Sequence, residues 1–122
     1  MWLSDYADRN PMNIDAETIA RIDATLLPQL DRHHLRLLAH CLASFRIMAP
    51  DLGGALPNAS LRRQWCEQQP VVADDPQFLI LLLNQLNNAA DQLEGIADDC
   101  SKAPLELSLD DLIAAAERRC RA

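Results

Sequence analysis

The chain has 122 residues, of which 49 % are hydrophobic and 4 % aromatic, and its formal net charge is −7. This length is ordinary for one domain, and the hydrophobic share is enough for a core of leucine, isoleucine, alanine and valine. Between residues 71 and 117 ten carboxylates accompany one lysine, and because such a surface repels phosphate groups we expect no binding to nucleic acids or anionic membranes.

The N-terminal part of the sequence predicts an arm followed by a helix. Residues 1–14 show little periodicity, and we interpret them as an N-terminal arm. Asp15 is a favourable N-cap, and Ile19, Ile22 and Leu26 then recur at helical spacing on one face. A first helix is therefore predicted over residues 16–27.

The second predicted helix is long and largely apolar. Pro28 suits its first turn, and the pattern continues to Met48 or Ala49, just before Pro50. A rotation of about 100° per residue places one set of side chains on an apolar side. This apolar set is Leu35, Leu38, Cys41, Leu42, Phe45 and Met48. The same rotation predicts a solvent-facing stripe made of Arg32, His33, Arg36, His40 and Ser44.

Three further helices are indicated by caps and prolines. Asn58 or Ser60 caps a short third helix that stops at Pro70. A strong start signal at residues 75–76, aspartate then proline, opens a fourth helix over residues 76–99. Its predicted inner side includes several of the leucines and alanines between residues 79 and 97.

The fifth helix begins after Ser108, with Asp111 three residues later in an imperfect capping box. Four or five helices joined by short loops predict an all-α fold, a compact helix bundle. We expect one domain, with the arm at residues 1–14 and the bundle at residues 15–122.

All three histidines belong to the second predicted helix, and their spacing argues against a metal site. His33 and His40 are seven residues apart, which is about 10 Å along the axis, whereas bonds from zinc to histidine are about 2 Å long. His34 points towards the apolar side. We expect it to be partly buried and bonded to a backbone carbonyl or an acid, with a pH-sensing packing residue as the alternative.

One alternative function concerns His40. The stretch LRLLAHCLASFRIMAPDLGG resembles the helix around the phospho-accepting histidine of histidine phosphotransfer domains. Members of that family are four-helix bundles in which an exposed histidine is followed by lysine three residues on and by glycine four residues on. The resemblance therefore implies a four-helix bundle with an exposed His40. Here those positions hold Ala43 and Ser44, and Arg36 could partly replace the lysine charge. The resemblance covers about twenty residues.

A second alternative is a metal-dependent helical hydrolase. Asp91, Glu94 and Asp98 share one face of the fourth helix, and Mg²⁺ prefers carboxylate and water ligands. Helical nucleotide pyrophosphatases place a second acidic helix with an E-E-x-x-E pattern opposite the first, and this sequence has no such pattern. The four cysteines form no C-x-x-C pair, which predicts free thiols.

The start, MWLSDYADRN, has neither the basic region nor the apolar core of a signal peptide, and the longest apolar run, FLILLL at residues 78–83, is far shorter than a spanning helix. We therefore expect a cytoplasmic protein. The abundance of arginine, leucine and alanine beside a single lysine indicates a GC-rich bacterial gene.

These observations favour an interaction protein over an enzyme. The apolar faces of the second and fourth helices exceed what the first and fifth helices obviously cover, which suggests a homodimer or a groove for one partner protein. We predict a non-catalytic interaction or regulatory domain without a cofactor. Trp65, Leu82, Leu86 and Leu93 are the candidate partner-binding residues, since tryptophan and buried apolar anchors often carry interface energy.

Overall fold

Five α-helices follow one another in a computed structural model that describes residues 15–51, 53–72 and 74–121. They are α1 (Ala16–Asp23), α2 (Gln29–Met48), α3 (Ala59–Glu67), α4 (Pro76–Cys100) and α5 (Leu109–Arg121), with short 3₁₀ turns at Pro70–Val72 and Pro104–Glu106. No strand occurs in these ranges, so the predicted all-α fold is confirmed. The N-terminal arm predicted for residues 1–14 lies outside the described residues.

The predicted caps position the starts of three helices. The carboxylate of Asp15 accepts a hydrogen bond from the backbone N–H of Thr18 at 2.8 Å, and the amide oxygen of Asn58 accepts one from Leu61 at 2.8 Å. Asp75 caps α4 in the same way. Each bond satisfies a backbone donor that has no partner within its helix. For α3 the sequence left Asn58 and Ser60 open, and the cap is Asn58.

Helix α1 is shorter than predicted, because it ends at Asp23 and not at residue 27. The backbone N–H and the hydroxyl of Thr25 both donate to the carbonyl of Ile22, which offers the chain a turn in place of further helix. The proline at position 28 also disfavours helical geometry just before it. Leu26 consequently lies beyond the helix and is fully exposed, so its predicted place on the apolar face was wrong.

Helix α2 is the central element, since it contacts all four other helices. Its predicted apolar side is confirmed: Leu35, Leu38, Cys41, Leu42 and Phe45 are buried, and Met48 packs against the core.

The predicted solvent stripe of α2 is wrong in its C-terminal half. The side chains at positions 32, 33 and 36 are partly exposed, but His40 and Ser44 are each only 8 % exposed. The stripe was predicted for a helix with one open side. Because α2 is surrounded by the other helices, only its N-terminal half keeps that side in contact with water.

Two connections that are distant in sequence meet at one end of the bundle. The Leu105 backbone N–H donates to the Gly54 carbonyl at 2.9 Å. The Arg46 guanidinium, from the last turn of α2, donates to the carbonyls of Leu105 and Leu107 at 3.0 and 2.5 Å. The turn between α4 and α5 is thus hydrogen-bonded both to α2 and to the loop that follows α2. We call this meeting of the two connections, at Gly54 and residues 103–107, the loop junction.

A short polar network fixes the start of α5. The Ser108 hydroxyl accepts from the Asp111 backbone N–H at 3.1 Å, and the Asp111 carboxylate accepts from the Ser108 backbone N–H at 2.9 Å. This is a capping box in which aspartate takes the place of glutamate. The ammonium group of Lys102 donates to the same carboxylate at 2.7 Å.

This network makes stability depend on pH in the acid range. The Lys102 hydrogen bond, followed by the Ser108 backbone donor, lowers the pKa of Asp111 from 3.8 to about 2. The carboxylate therefore stabilises the fold fully above pH 3.8, and this contribution is lost as the pH falls through about 2. We expect the stability advantage of the wild type over Asp111→Asn, measured by urea unfolding, to shrink across that window. Asparagine keeps an oxygen that can cap the helix but lacks the charge. A difference in the free energy of unfolding between the two proteins that does not change with pH would contradict the role of the charge.

Candidate functional site

The leucines predicted to bind a partner belong to the core. Leu82, Leu86 and Leu93 line the inner side of α4 and are buried. Trp65 of α3 is partly buried and packs against the same core. The apolar surface of these three leucines is therefore covered within the chain. The prediction that these three leucines form a docking surface is corrected by their burial.

The surface that α4 leaves in water is different. Seven exposed side chains recur every three or four residues along the helix, and we call them the outer face of α4. They are Ile80, Leu81, Asn84, Asn88, Asp91, Glu94 and Asp98. The helix has 25 residues, so it is about 37 Å long, and this face changes from apolar at its beginning to amide and then to acidic at its end.

The apolar beginning of this face is the feature that the sequence analysis missed. Ile80 and Leu81 are 60 % and 55 % exposed, although they lie inside the apolar run FLILLL. The cause is helical rotation, because six consecutive residues cover every side of a helix. Phe78 and Leu82 of the same run point inward and are buried.

A cleft of about 620 Å³ opens where α2, α4 and α5 meet, and we call it the three-helix cleft. Its apolar lining consists of Leu35, Leu38, Ile96, Leu112, Ala115 and Ala116. Charged residues complete it: the α4 wall carries Asp98 and Asp99, and the α5 wall carries Arg118 and Arg119. One side of the cleft therefore attracts cations and the other attracts anions.

His34 and Gln92 connect two walls of this cleft. The His34 Nε2 atom lies 2.6 Å from the Gln92 side-chain oxygen, so the ring nitrogen donates and the amide oxygen accepts. The prediction of a partly buried His34 is confirmed, but its partner is an amide of α4 and not the expected carbonyl or acid. Gln92 was missed because nothing local in the sequence shows that residues 34 and 92 meet.

The geometry of His40 does not match a phosphate-accepting histidine. Such a residue must meet an incoming phosphoryl group, whereas His40 is 8 % exposed and lies within the helix that all the others surround. The small residues Ala43 and Ser44 do not open a path, because Ser44 is itself buried. The access that the phosphotransfer alternative required is therefore missing.

The remaining polar groups are spread out. Asp91, Glu94 and Asp98 follow the outer face of α4, and in the ranges that the structure describes no three His, Cys, Asp or Glu side chains lie close enough to hold a metal ion.

Burial raises the pKa of the Cys41 thiol to about 12 and that of Cys66 to about 11. Both thiols are therefore protonated near neutral pH and poor nucleophiles.

The described helices do not have the properties of membrane-spanning segments. None of them combines the length and the apolar character that crossing a bilayer requires.

The fold and these two surfaces define a small helical protein that offers an exposed helix face and an open cleft, both suited to contacts with other proteins. A family model described as NDH complex assembly factor CRR9 matches residues 14–122, and the chain belongs to this family. No curated protein matches the sequence, and no solved structure matches it either.

The family corrects two parts of the sequence interpretation. A bacterial source and a homodimer were both predicted, and the family description supports neither, since it names a complex to be assembled and not a second copy of the chain. The coarser prediction of a non-catalytic interaction role agrees with the description of an assembly factor.

Proposed function

We propose that this protein binds a protein component of an NDH complex during assembly of that complex, and that the outer face of α4 makes the contact. The family description supports the role, and the exposure of Ile80 and Leu81 is the observation that carries the choice of surface. The proposed role consists of binding alone, without a chemical reaction.

The apolar end of the face supplies the binding energy. Complete burial of an isoleucine or leucine side chain contributes about 1.5–3 kcal/mol, and Ile80 and Leu81 are both more than half exposed. They are neighbours in the first two turns of α4, so one partner surface can cover both. Residues of this kind act as central anchors in interfaces.

The acidic end of the face supplies direction. Asp91, Glu94 and Asp98 extend from the middle of α4 to its end, and all three are exposed. A row of like charges attracts a basic partner surface and speeds its encounter, with an effect that salt weakens. The partner surface that fits the outer face is therefore apolar at one end and basic at the other.

The test is capture of identified NDH subunits by the tagged full-length protein, with the variant Ile80→Gln/Leu81→Gln compared with the wild type. Glutamine keeps the helix propensity of leucine, so we expect a folded protein whose capture of NDH subunits falls at least about tenfold, which corresponds to 1.4 kcal/mol. The matched control is Leu26→Gln/Leu30→Gln, which removes the exposed apolar pair near the α1–α2 turn.

The control variant is expected to capture NDH subunits like the wild type. Loss of capture in the control alone would move the contact to the α1–α2 turn and would contradict the role of the outer face. A wild-type protein that retains no NDH subunit, in extracts where the complex is being assembled, would contradict the proposed function itself.

A further inference from the structure

The turn between α1 and α2 carries the two most exposed large apolar side chains among the described residues. Leu26 is fully exposed and Leu30 is 82 % exposed, whereas Leu27 between them is buried in the core. We call the two exposed leucines the turn patch. Single exposed leucines are ordinary on a protein surface, but two on the same turn form an apolar surface that a binding partner can cover.

The exposure of the turn patch is imposed by the fold. The backbone N–H and the hydroxyl of Thr25 both donate to the carbonyl of Ile22, and the buried side chain of Leu27 holds the turn against the core. Because Leu26 lies between these two attachments, it cannot turn inward without breaking one of them. A cover for the patch must therefore come from outside the described residues.

The N-terminal arm, residues 1–14, has the composition of such a cover. Trp2, Leu3 and Tyr6 belong to it, and it supplies two of the chain's five aromatic residues. The other three aromatic residues are buried or pack against the core. Aromatic side chains bring a large apolar area to a contact. The arm therefore contains apolar surface that suits a patch of two leucines.

The arm is long enough to reach the turn patch. Helix α1 has 8 residues, so it spans about 12 Å from the Asp15 cap, and the three further residues to Leu26 add at most about 11 Å. The 13 residues 2–14 span up to about 43 Å when extended. Trp2 and Tyr6 can both return to the turn patch, with slack left in the connection.

The covalent connection favours the arm over a separate molecule. A segment joined to its target by a short flexible linker is present at an effective concentration on the order of millimolar, so a modest apolar contact is enough to keep it bound. A free molecule at a much lower concentration needs a larger contact for the same occupancy, and two leucines offer only a small one.

We propose that the N-terminal arm folds back along α1 and covers the turn patch, with Trp2 and Tyr6 placed against Leu26 and Leu30. The chain itself then supplies the partner of this surface. This inference does not rest on the proposed function, because the turn patch lies apart from α4 in the chain and residues 1–13 precede the part that matches the family model.

The fluorescence of Trp2 tests the contact in the full-length protein that carries Trp65→Phe, where Trp2 is the only tryptophan. We expect its emission at a shorter wavelength than in the urea-unfolded protein, and several-fold weaker quenching by acrylamide. Apolar side chains that cover the indole ring exclude both water and the quencher. Emission and quenching equal to those of the unfolded protein would overturn the proposal.

Two leucine variants in the same background locate the contact. Leu26→Gln/Leu30→Gln is expected to leave the helical circular dichroism unchanged and to raise the quenching of Trp2 to that of the unfolded protein. The matched control, Ile80→Gln/Leu81→Gln, removes the other exposed apolar pair and is expected to leave the quenching unchanged.

The opposite pattern would contradict the proposed contact. Protection of Trp2 that is lost only in the α4 variant would place the arm on the outer face of α4. Protection that rises with protein concentration would show that the arm covers a second copy of the chain. Either result would overturn the proposal.

Urea unfolding with Trp65 in place remains decisive if Trp65→Phe does not fold. Trp2→Ser is expected to lower the urea midpoint of the wild type but not that of Leu26→Gln/Leu30→Gln, because the two changes remove the same contact. Equal lowering in both proteins, or no lowering in the wild type, would show that Trp2 does not contact the turn patch.

Discussion

Replacing Phe45 with alanine is expected to lower the free energy of unfolding by about 3–5 kcal/mol. Phe45 is completely buried and belongs to α2, the helix that every other helix contacts. Removal of its ring leaves a cavity in the core, and the surrounding side chains can fill that cavity only in part. Because natural domains of this size have total stabilities of about 5–15 kcal/mol, such a loss would leave the fold near its limit.

Urea unfolding followed by circular dichroism measures this effect, and Ile47→Ala is the matched control. Ile47 is two residues away on the same helix but 41 % exposed, so its truncation is expected to cost less than about 1 kcal/mol. If the slope of the free energy of unfolding against urea concentration is the same in both variants, both unfold from an equally compact folded state. Similar losses for the two variants would contradict the assignment of Phe45 to the buried side of α2 and of Ile47 to its exposed side.

Replacing Gly54 with alanine is expected to destabilise the protein by about 2–3 kcal/mol, because two costs add. Gly54 has φ +88°, which L-residues rarely adopt, and a residue forced into the left-handed region costs about 1–2 kcal/mol. A Cβ atom there would also come within 2.8 Å of the Ala103 Cβ atom and 3.1 Å of a Glu106 side-chain oxygen. Ala103 and Glu106 would have to move away from position 54 to make room for this atom.

Gly53→Ala separates the two costs. Gly53 also has a positive φ, +63°, but nothing lies within 4 Å of an added Cβ atom. We expect this variant to lose only the backbone term, about 1 kcal/mol. Thermal unfolding of both variants in parallel measures the difference, and equal losses at the two positions would show that the contact between Gly54 and the turn after α4 is unimportant.

The helix starts could be predicted because their signals are local. Asp15, Asp75 and Ser108 are caps whose hydrogen bonds reach only three residues ahead, so the sequence contains both partners. The end of α1 was predicted four residues too late for a related reason. The turn at Thr25 depends on a competition between two hydrogen-bonding patterns, and periodicity of apolar residues does not report on that competition.

The candidate site was harder to predict because it depends on which helices meet. Helical rotation correctly divides α2 into two sides, but it cannot show that the side with His40 is covered by other elements. The same limit led to Leu82 and Leu86 being assigned to a docking surface. The three-helix cleft joins residues from positions 34 to 119, and no pattern within one helix predicts such a meeting.

The fastening of the turn between α4 and α5 has a consequence for any molecule that enters the cleft. Arg46 ties this turn to α2, and the network of Lys102, Ser108 and Asp111 fixes the first turn of α5. The turn and the first turn of α5 are thus restrained before any other molecule binds. A molecule that enters the cleft loses conformational freedom, whereas this part of the protein loses little, so the entropic cost of binding is smaller.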